Sequence, residues 1–162
     1  MQPSLKAGIL SHPKLQVCMT KSDKKTIGRI EKIDFPELSI FNLDAKVDTG
    51  AYTSSLHCQN IRQITENGQE LVEFNVLDSD HPEYEDKLFR CLIHDIRKVK
   101  SSNGETEKRF VIKQKVQFFK KQRTIELSLT DRSAMKYPVL LGRKFLKKFV
   151  VDISRKYITE TN

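Results

Sequence analysis

The sequence predicts an all-β barrel or sandwich. Three observations carry that reading: apolar and polar residues alternate over short stretches, tight-turn signals separate those stretches, and helical periodicity is nearly absent. The body opens near Lys24 with a strand over Thr26–Ile30, and a second runs over Phe41–Val47. Glu66-Asn67-Gly68-Gln69 then carries the Asn-Gly pair of a type I′ hairpin turn, which needs positive φ at both central positions. The strand after it places Val72, Phe74 and Val76 on one face and Glu73 and Asn75 on the other.

Residues 78–87 form an acidic loop around Pro82. Residues 88–100 alternate weakly, and Ser101-Ser102-Asn103-Gly104 makes a second tight turn. Phe110, Ile112, Val116 and Phe118 share one parity, opposite Lys113, Lys115 and Gln117. A third turn is expected at Lys120-Lys121-Gln122, after which Ile125, Leu127 and Leu129 alternate with Glu126, Ser128 and Thr130. Val139-Leu140-Leu141 reads as a buried strand, Arg143–Lys148 as one or two helical turns, and Val150–Ile153 with Tyr157-Ile158 as a closing strand.

The length of 162 residues suits one domain, taken as 24–162 behind a tail or extension at 1–23. Hydrophobic content of 38% and charged content of 31% place the chain among soluble globular proteins. No segment approaches the ~18–20 continuous apolar residues of a membrane helix, and Ala7–Leu10 is too short for a signal-peptide core. The expected location is therefore the cytoplasm, with no membrane partner. Three cysteines make no disulfide framework. The net charge is +8, and it is unevenly placed: residues 97–148 hold 16 Lys or Arg against 4 Asp or Glu. That field attracts acidic partners.

Asp48-Thr49-Gly50-Ala51 is the motif that points to chemistry. Alone it is a weak three-residue signal, more readily read as an Asx-type turn that reverses the chain. It gains weight from a strand face of Leu43, Ala45 and Val47 before it, and from Val139-Leu140-Leu141-Gly142-Arg143 far downstream. An Asp-Thr-Gly-Ala turn followed by an apolar-Gly-Arg stretch resembles the retropepsins. AKVDTGAYTSSLH, KVKSSNGETEKR, LTDRS and YPVLLGRKFL resemble more closely the bacterial retropepsin-like family often labelled ATP-dependent zinc proteases. The resemblance spans about residues 25–158.

It implies a closed β-barrel of the acid-protease type with one short C-terminal helix. It also implies an aspartic endopeptidase. Such enzymes need two carboxylates sharing one proton and one water. This chain supplies only Asp48, so a homodimer would supply the second. By the same resemblance, Thr49, Gly50 and Ala51 form the active-site loop, Gly142 and Arg143 support it, and Ser101, Ser102, Asn103 and Gly104 form the flap. Arg143 departs from the viral pattern, because the acidic residue it pairs with there is replaced here by Tyr52, Thr53, Ser54 and Ser55. Members of that family often accompany ATP-grasp glutamate ligases that add acidic tails to a ribosomal protein. The basic half of the chain suits an acidic or polyglutamylated substrate.

Other sites are weaker. His57-Cys58 with Cys91 and His94 is the nearest zinc pattern, but adjacent strand residues point to opposite faces, so no metal is expected. Cys58 with His94 as a nucleophile pair has nothing local to lower the thiol pKa. There is no phosphate-binding loop, no Gly-x-Ser-x-Gly elbow, and no cofactor is expected. The reading from another class is a non-catalytic module of the same fold whose basic surface binds nucleic acid or an acidic protein. Nucleic acid is disfavoured, because Phe110 and Phe118 share the core parity.

Overall fold

The computed structural model describes residues 24–100, 104 and 106–161. The expected tail at 1–23 and the residues Ser101, Ser102 and Asn103 of the expected flap lie outside these; Gly104 lies within them. Eleven strands are present among the described residues, with one short helix, α1 (Arg143–Leu146). β1 (Lys25–Gly28) pairs in parallel with β11 (Phe149–Asp152) as a separate two-stranded sheet.

The main sheet has nine strands. β2 (Ile30–Phe35) and β3 (Ile40–Val47) form an antiparallel pair around a 3-10 turn at Pro36–Leu38. β4 (Ser54–Glu66) and β5 (Gln69–Val76) form the predicted hairpin, with Asn67 at φ 51° and Gly68 at φ 75°. Both values lie in the left-handed region that the Asn-Gly pair serves. β6 (Leu88–Leu92) extends β5, and β7 (Asp95–Lys100) pairs with β8 (Thr106–Phe118). β8 returns into β9 (Lys121–Thr130), which runs parallel to the start of β4. β10 (Val139–Leu141) lies between β3, in parallel, and β4, antiparallel.

The expected closed barrel is corrected by this topology. A closed barrel needs continuous ladders around the ring. Here β2 meets β8 through one pair, Asp34 with Gln117, and β5 and β6 run off β4 to an edge. The sheet is mixed rather than a closed barrel, and its β2–β8 seam is held by that one pair. Alternation along a strand reports which side chains face in. It carries no information on which strands become neighbours, and so could not reveal the seam.

Three local expectations also change. The third turn sits at Phe119–Lys120, both with positive φ, and Lys121 already pairs with Phe118. Phe119 is drawn there by Phe118 at 5.4 Å and Phe149 at 6.2 Å between ring centroids. On β5, Glu73 and Asn75 are buried as fully as their apolar neighbours. Arg90, followed by Arg62, clamps Glu73 and holds its carboxyl below the usual range, while Asn60 and the Lys87 carbonyl satisfy Asn75. Ile158–Thr161 is a 3-10 turn rather than strand. The buried carboxylate of Glu31 takes its N–H groups, at Ile158 (3.2 Å) and Thr159 (3.1 Å).

Candidate functional site

The loop between β3 and β4 begins where β3 leaves its register with β10. The Asp48 N–H donates to the Leu141 carbonyl at 3.0 Å, which fixes the start of the loop to the end of β10. The Asp48 carboxylate then turns back on its own chain. Its Oδ1 accepts the N–H of Gly50 at 2.8 Å and of Ala51 at 3.2 Å. This is an Asx-type turn, the structural use of Asp at such a position. Thr49 and Gly50 are exposed, and Asp48 and Ala51 are half-buried.

β10 and α1 support this loop from the other side. The Gly142 N–H donates to Ser54 Oγ at 3.1 Å. A Cβ at Gly142 would lie 2.7 Å from the Thr53 carbonyl carbon, so only glycine permits the approach. The Arg143 N–H donates to the Ala51 carbonyl at 2.8 Å, and the Lys144 N–H to that of Tyr52 at 3.0 Å. Arg143 Nη1 reaches the carbonyls of Thr49 and Gly50, at 3.1 and 2.8 Å. With no acidic side chain available in residues 52–55, the guanidinium bonds backbone oxygens, and it also lies over the Tyr52 ring at 5.8 Å.

Two groups around the loop were not singled out from sequence. Arg132 is half-buried, bonds Ser55 Oγ at 3.3 Å, and lies within the field of Asp48. Burial and the neighbouring Arg109 pull its guanidinium below the usual range, while the Asp48 carboxylate acts in the opposite direction. The second group is Glu126, which bonds Lys144 and also Arg97 at 2.9 Å. Lys144, followed by Arg97, holds its carboxyl down to about 2, against the pull of burial. Arg97 continues to Thr53 Oγ1 at 2.7 Å, tying β7 and β9 to the loop. A signal was present: Glu126 is the single acidic residue between Glu107 and Asp131.

The zinc pattern is dispersed. His57 Nε2 lies 2.9 Å from Asp78, and its Nδ1 accepts the Arg132 N–H at 2.8 Å, so both ring nitrogens are engaged. That acceptor role leaves the neutral-ring proton on Nε2. Cys58 is buried in the core, and burial pushes its thiol well above the usual range; Cys91 is raised in the same way. His94 lies 3.6 Å from Glu126 rather than beside Cys58. Among the described residues, no group of three or more His, Cys, Asp or Glu side chains could hold a metal ion. No helix among them is long and apolar enough to cross a membrane.

A mixed β-sheet with an Asp-Thr-Gly-Ala loop braced by a Gly-Arg element defines a retropepsin-like protein. The family model described as "Retropepsin-like aspartic endopeptidase RimB" matches residues 26–162, and the chain belongs to this RimB-like family. A solved structure of a Legionella pneumophila protein of unknown function shares the fold, with a TM-score of 0.69 and 30% identity over 83% of this chain and 98% of that one. The curated relatives are of another kind. A "Probable alpha-L-glutamate ligase" of Desulfotalea psychrophila is 41% identical over 134 residues, 80% of this chain and 28% of that protein. Its counterpart in Shewanella pealeana is 40% identical over 142 residues, 84% of this chain and 30% of that protein. The chain thus spans less than a third of the length of these relatives.

These matches overturn the expectation of an aspartic endopeptidase, and with it the classification as a hydrolase or protease. The matching segment is carried within proteins described as probable alpha-L-glutamate ligases, not as peptidases. A fold carries no activity by itself.

Proposed function

We propose that this chain is a non-catalytic module that works with an alpha-L-glutamate ligase and binds an acidic, glutamate-bearing protein chain through its basic half. The observation that carries this reading is the 40–41% identity to segments of proteins described as probable alpha-L-glutamate ligases. A ligase that adds glutamate handles a chain whose negative charge grows with each addition. A domain with 16 basic and 4 acidic residues over 97–148 supplies the complementary field. The Asp48 loop acts as a rigid structural element of this module. The free thiols Cys58 and Cys91 suit work in the cytoplasm.

The nucleic-acid version of a binding module has less support. Phe110 and Phe118, the aromatics of the basic strand β8, are buried at 8% and 2% exposure, and stacking needs exposed rings. The test is fluorescence anisotropy with a labelled deca-glutamate peptide and a deca-glutamine peptide, each at low and moderate salt. The expected result is binding of the acidic peptide alone, weakening as salt rises. Equal binding of both peptides, or of neither, overturns the reading.

A further inference from the structure

The positive charge converges on one concavity. A cleft of about 250 Å³ is lined by residues of β8, β9 and the α1 segment, with Ser54 of β4. Five cations line it: Lys113, Arg123, Lys144, Lys147 and Lys148. Ile125 and Phe145 give it apolar wall. One carboxylate, Glu126, is present, and Lys144 and Arg97 already engage it. Among the described residues, no carboxylate is paired with Lys113, Arg123, Lys147 or Lys148. Asp48 does not line the cleft.

Arg123 supplies an independent sign. Its Nε is buried and has no hydrogen-bond partner among the described residues. Its guanidinium is held over the Phe149 ring at 5.6 Å. A buried donor left unpaired is costly, and a guanidinium is shaped to take a carboxylate through two parallel bonds. Lys113 on β8 is in register with Glu126 on β9, Arg123 lies further along the same ladder opposite Val116, and Lys147 and Lys148 are exposed where α1 ends. The cleft therefore combines a fixed guanidinium, mobile ammonium groups and apolar wall for methylene stems.

We infer that this cleft is the docking site for an acidic peptide, whose carboxylates bond Arg123, Lys113 and the Lys147–Lys148 pair. The inference rests on the reading of the chain as a module for glutamate-bearing chains and gives that reading a location. A peptide suits the cleft better than a nucleic acid, because the nearby rings Phe118, Phe145 and Phe149 are buried in the core and offer no stacking face.

The test is titration of labelled deca-glutamate peptide into three charge-reversed variants. Lys113→Glu with Arg123→Glu alters the cleft directly. Lys147→Glu with Lys148→Glu alters its exposed rim, where folding is not at risk. Lys98→Glu with Lys100→Glu makes the same charge change on exposed positions of β7. Both cleft variants are expected to bind about tenfold more weakly, and the β7 variant to stay within about twofold of the unmodified chain. Equal weakening in all three overturns the cleft while leaving the module reading in place. No binding of the peptide by the unmodified chain overturns both. Displacement of the peptide by a single-stranded oligonucleotide at lower concentration than by unlabelled peptide assigns the cleft to nucleic acid and overturns the proposal.

Discussion

Arg143 holds the exposed Gly50 carbonyl at 2.8 Å through the same nitrogen that reaches Thr49. A short helix thereby grips a loop 93 residues away in sequence, and Gly142 allows the two backbones to touch. Gly142→Ala should lower stability by about 1–3 kcal/mol, because its Cβ would meet backbone rather than a flexible side chain. For a chain of this length that is a fall in Tm of roughly 2–12 °C. Arg143→Lys should cost about 1 kcal/mol, since one ammonium replaces a planar fork. Thermal and urea unfolding measure both.

Asp48 acts here as an acceptor for its own turn, so its oxygen matters more than its charge. Asp48→Asn keeps an oxygen at that position and should change stability by less than about 0.5 kcal/mol. Asp48→Ala leaves the N–H groups of Gly50 and Ala51 without their acceptor and should cost about 1–2 kcal/mol. Urea midpoints of the two variants make the comparison. Equal destabilisation would show that the carboxylate does something other than hold the turn.

Glu31 is buried and accepts from Gly28 N–H, Ile158 N–H, Thr159 N–H and Thr159 Oγ1. Glu31→Ala strands several buried donors at once, at a cost on the order of 3–5 kcal/mol. The segment after β11 should then become susceptible to protease while the main sheet persists. Limited proteolysis with mass analysis locates the cut.

Glu126 predicts the direction of acid sensitivity. Its carboxyl is depressed to about 2, below its ordinary 4.5, by Lys144 and then Arg97. A depressed carboxylate stabilises the fold above its unfolded pKa, and that stability is lost as pH falls through the folded value. The affected window therefore runs from about 4.5 down to about 2. Because Lys144 is 42% exposed, solvent screens the pair, and its worth at neutral pH is on the order of 1–2 kcal/mol. Glu126→Gln should be destabilised by that amount at pH 7, with the gap to the unmodified chain closing toward pH 2. A gap that does not change with pH would contradict this assignment.

The strands were legible because alternation and turn chemistry are local. Asn67-Gly68 located a hairpin, and Val139–Leu141 a buried strand, from the residues alone. The thin β2–β8 seam, held by Asp34 and Gln117 alone, was not legible, since pairing between residues 83 positions apart leaves no local mark. The 3-10 turn at Ile158 was hidden because its cause, Glu31, lies 127 residues away. In the site, the Asp48 loop and Gly142-Arg143 were visible as motifs, and their contacts follow from the backbone. Arg132 and Lys144 lay within quoted motif stretches, but their contacts with Ser55 and with Glu126 were not legible, because charge in a basic sequence reads as surface until folding pairs it. The motif also suggested more than the matches support: Asp-Thr-Gly-Ala marks a loop geometry here, while the curated relatives are described as ligases.

The central claim is that the chain binds a glutamate-bearing partner and does not cut it. Incubating deca-glutamate peptide with the unmodified chain and with Asp48→Asn, then recording both affinity and peptide mass, tests that claim most directly. The account predicts equal affinity for the two proteins and a peptide of unchanged mass in both. A peptide shortened by the unmodified chain but left whole by Asp48→Asn would contradict it.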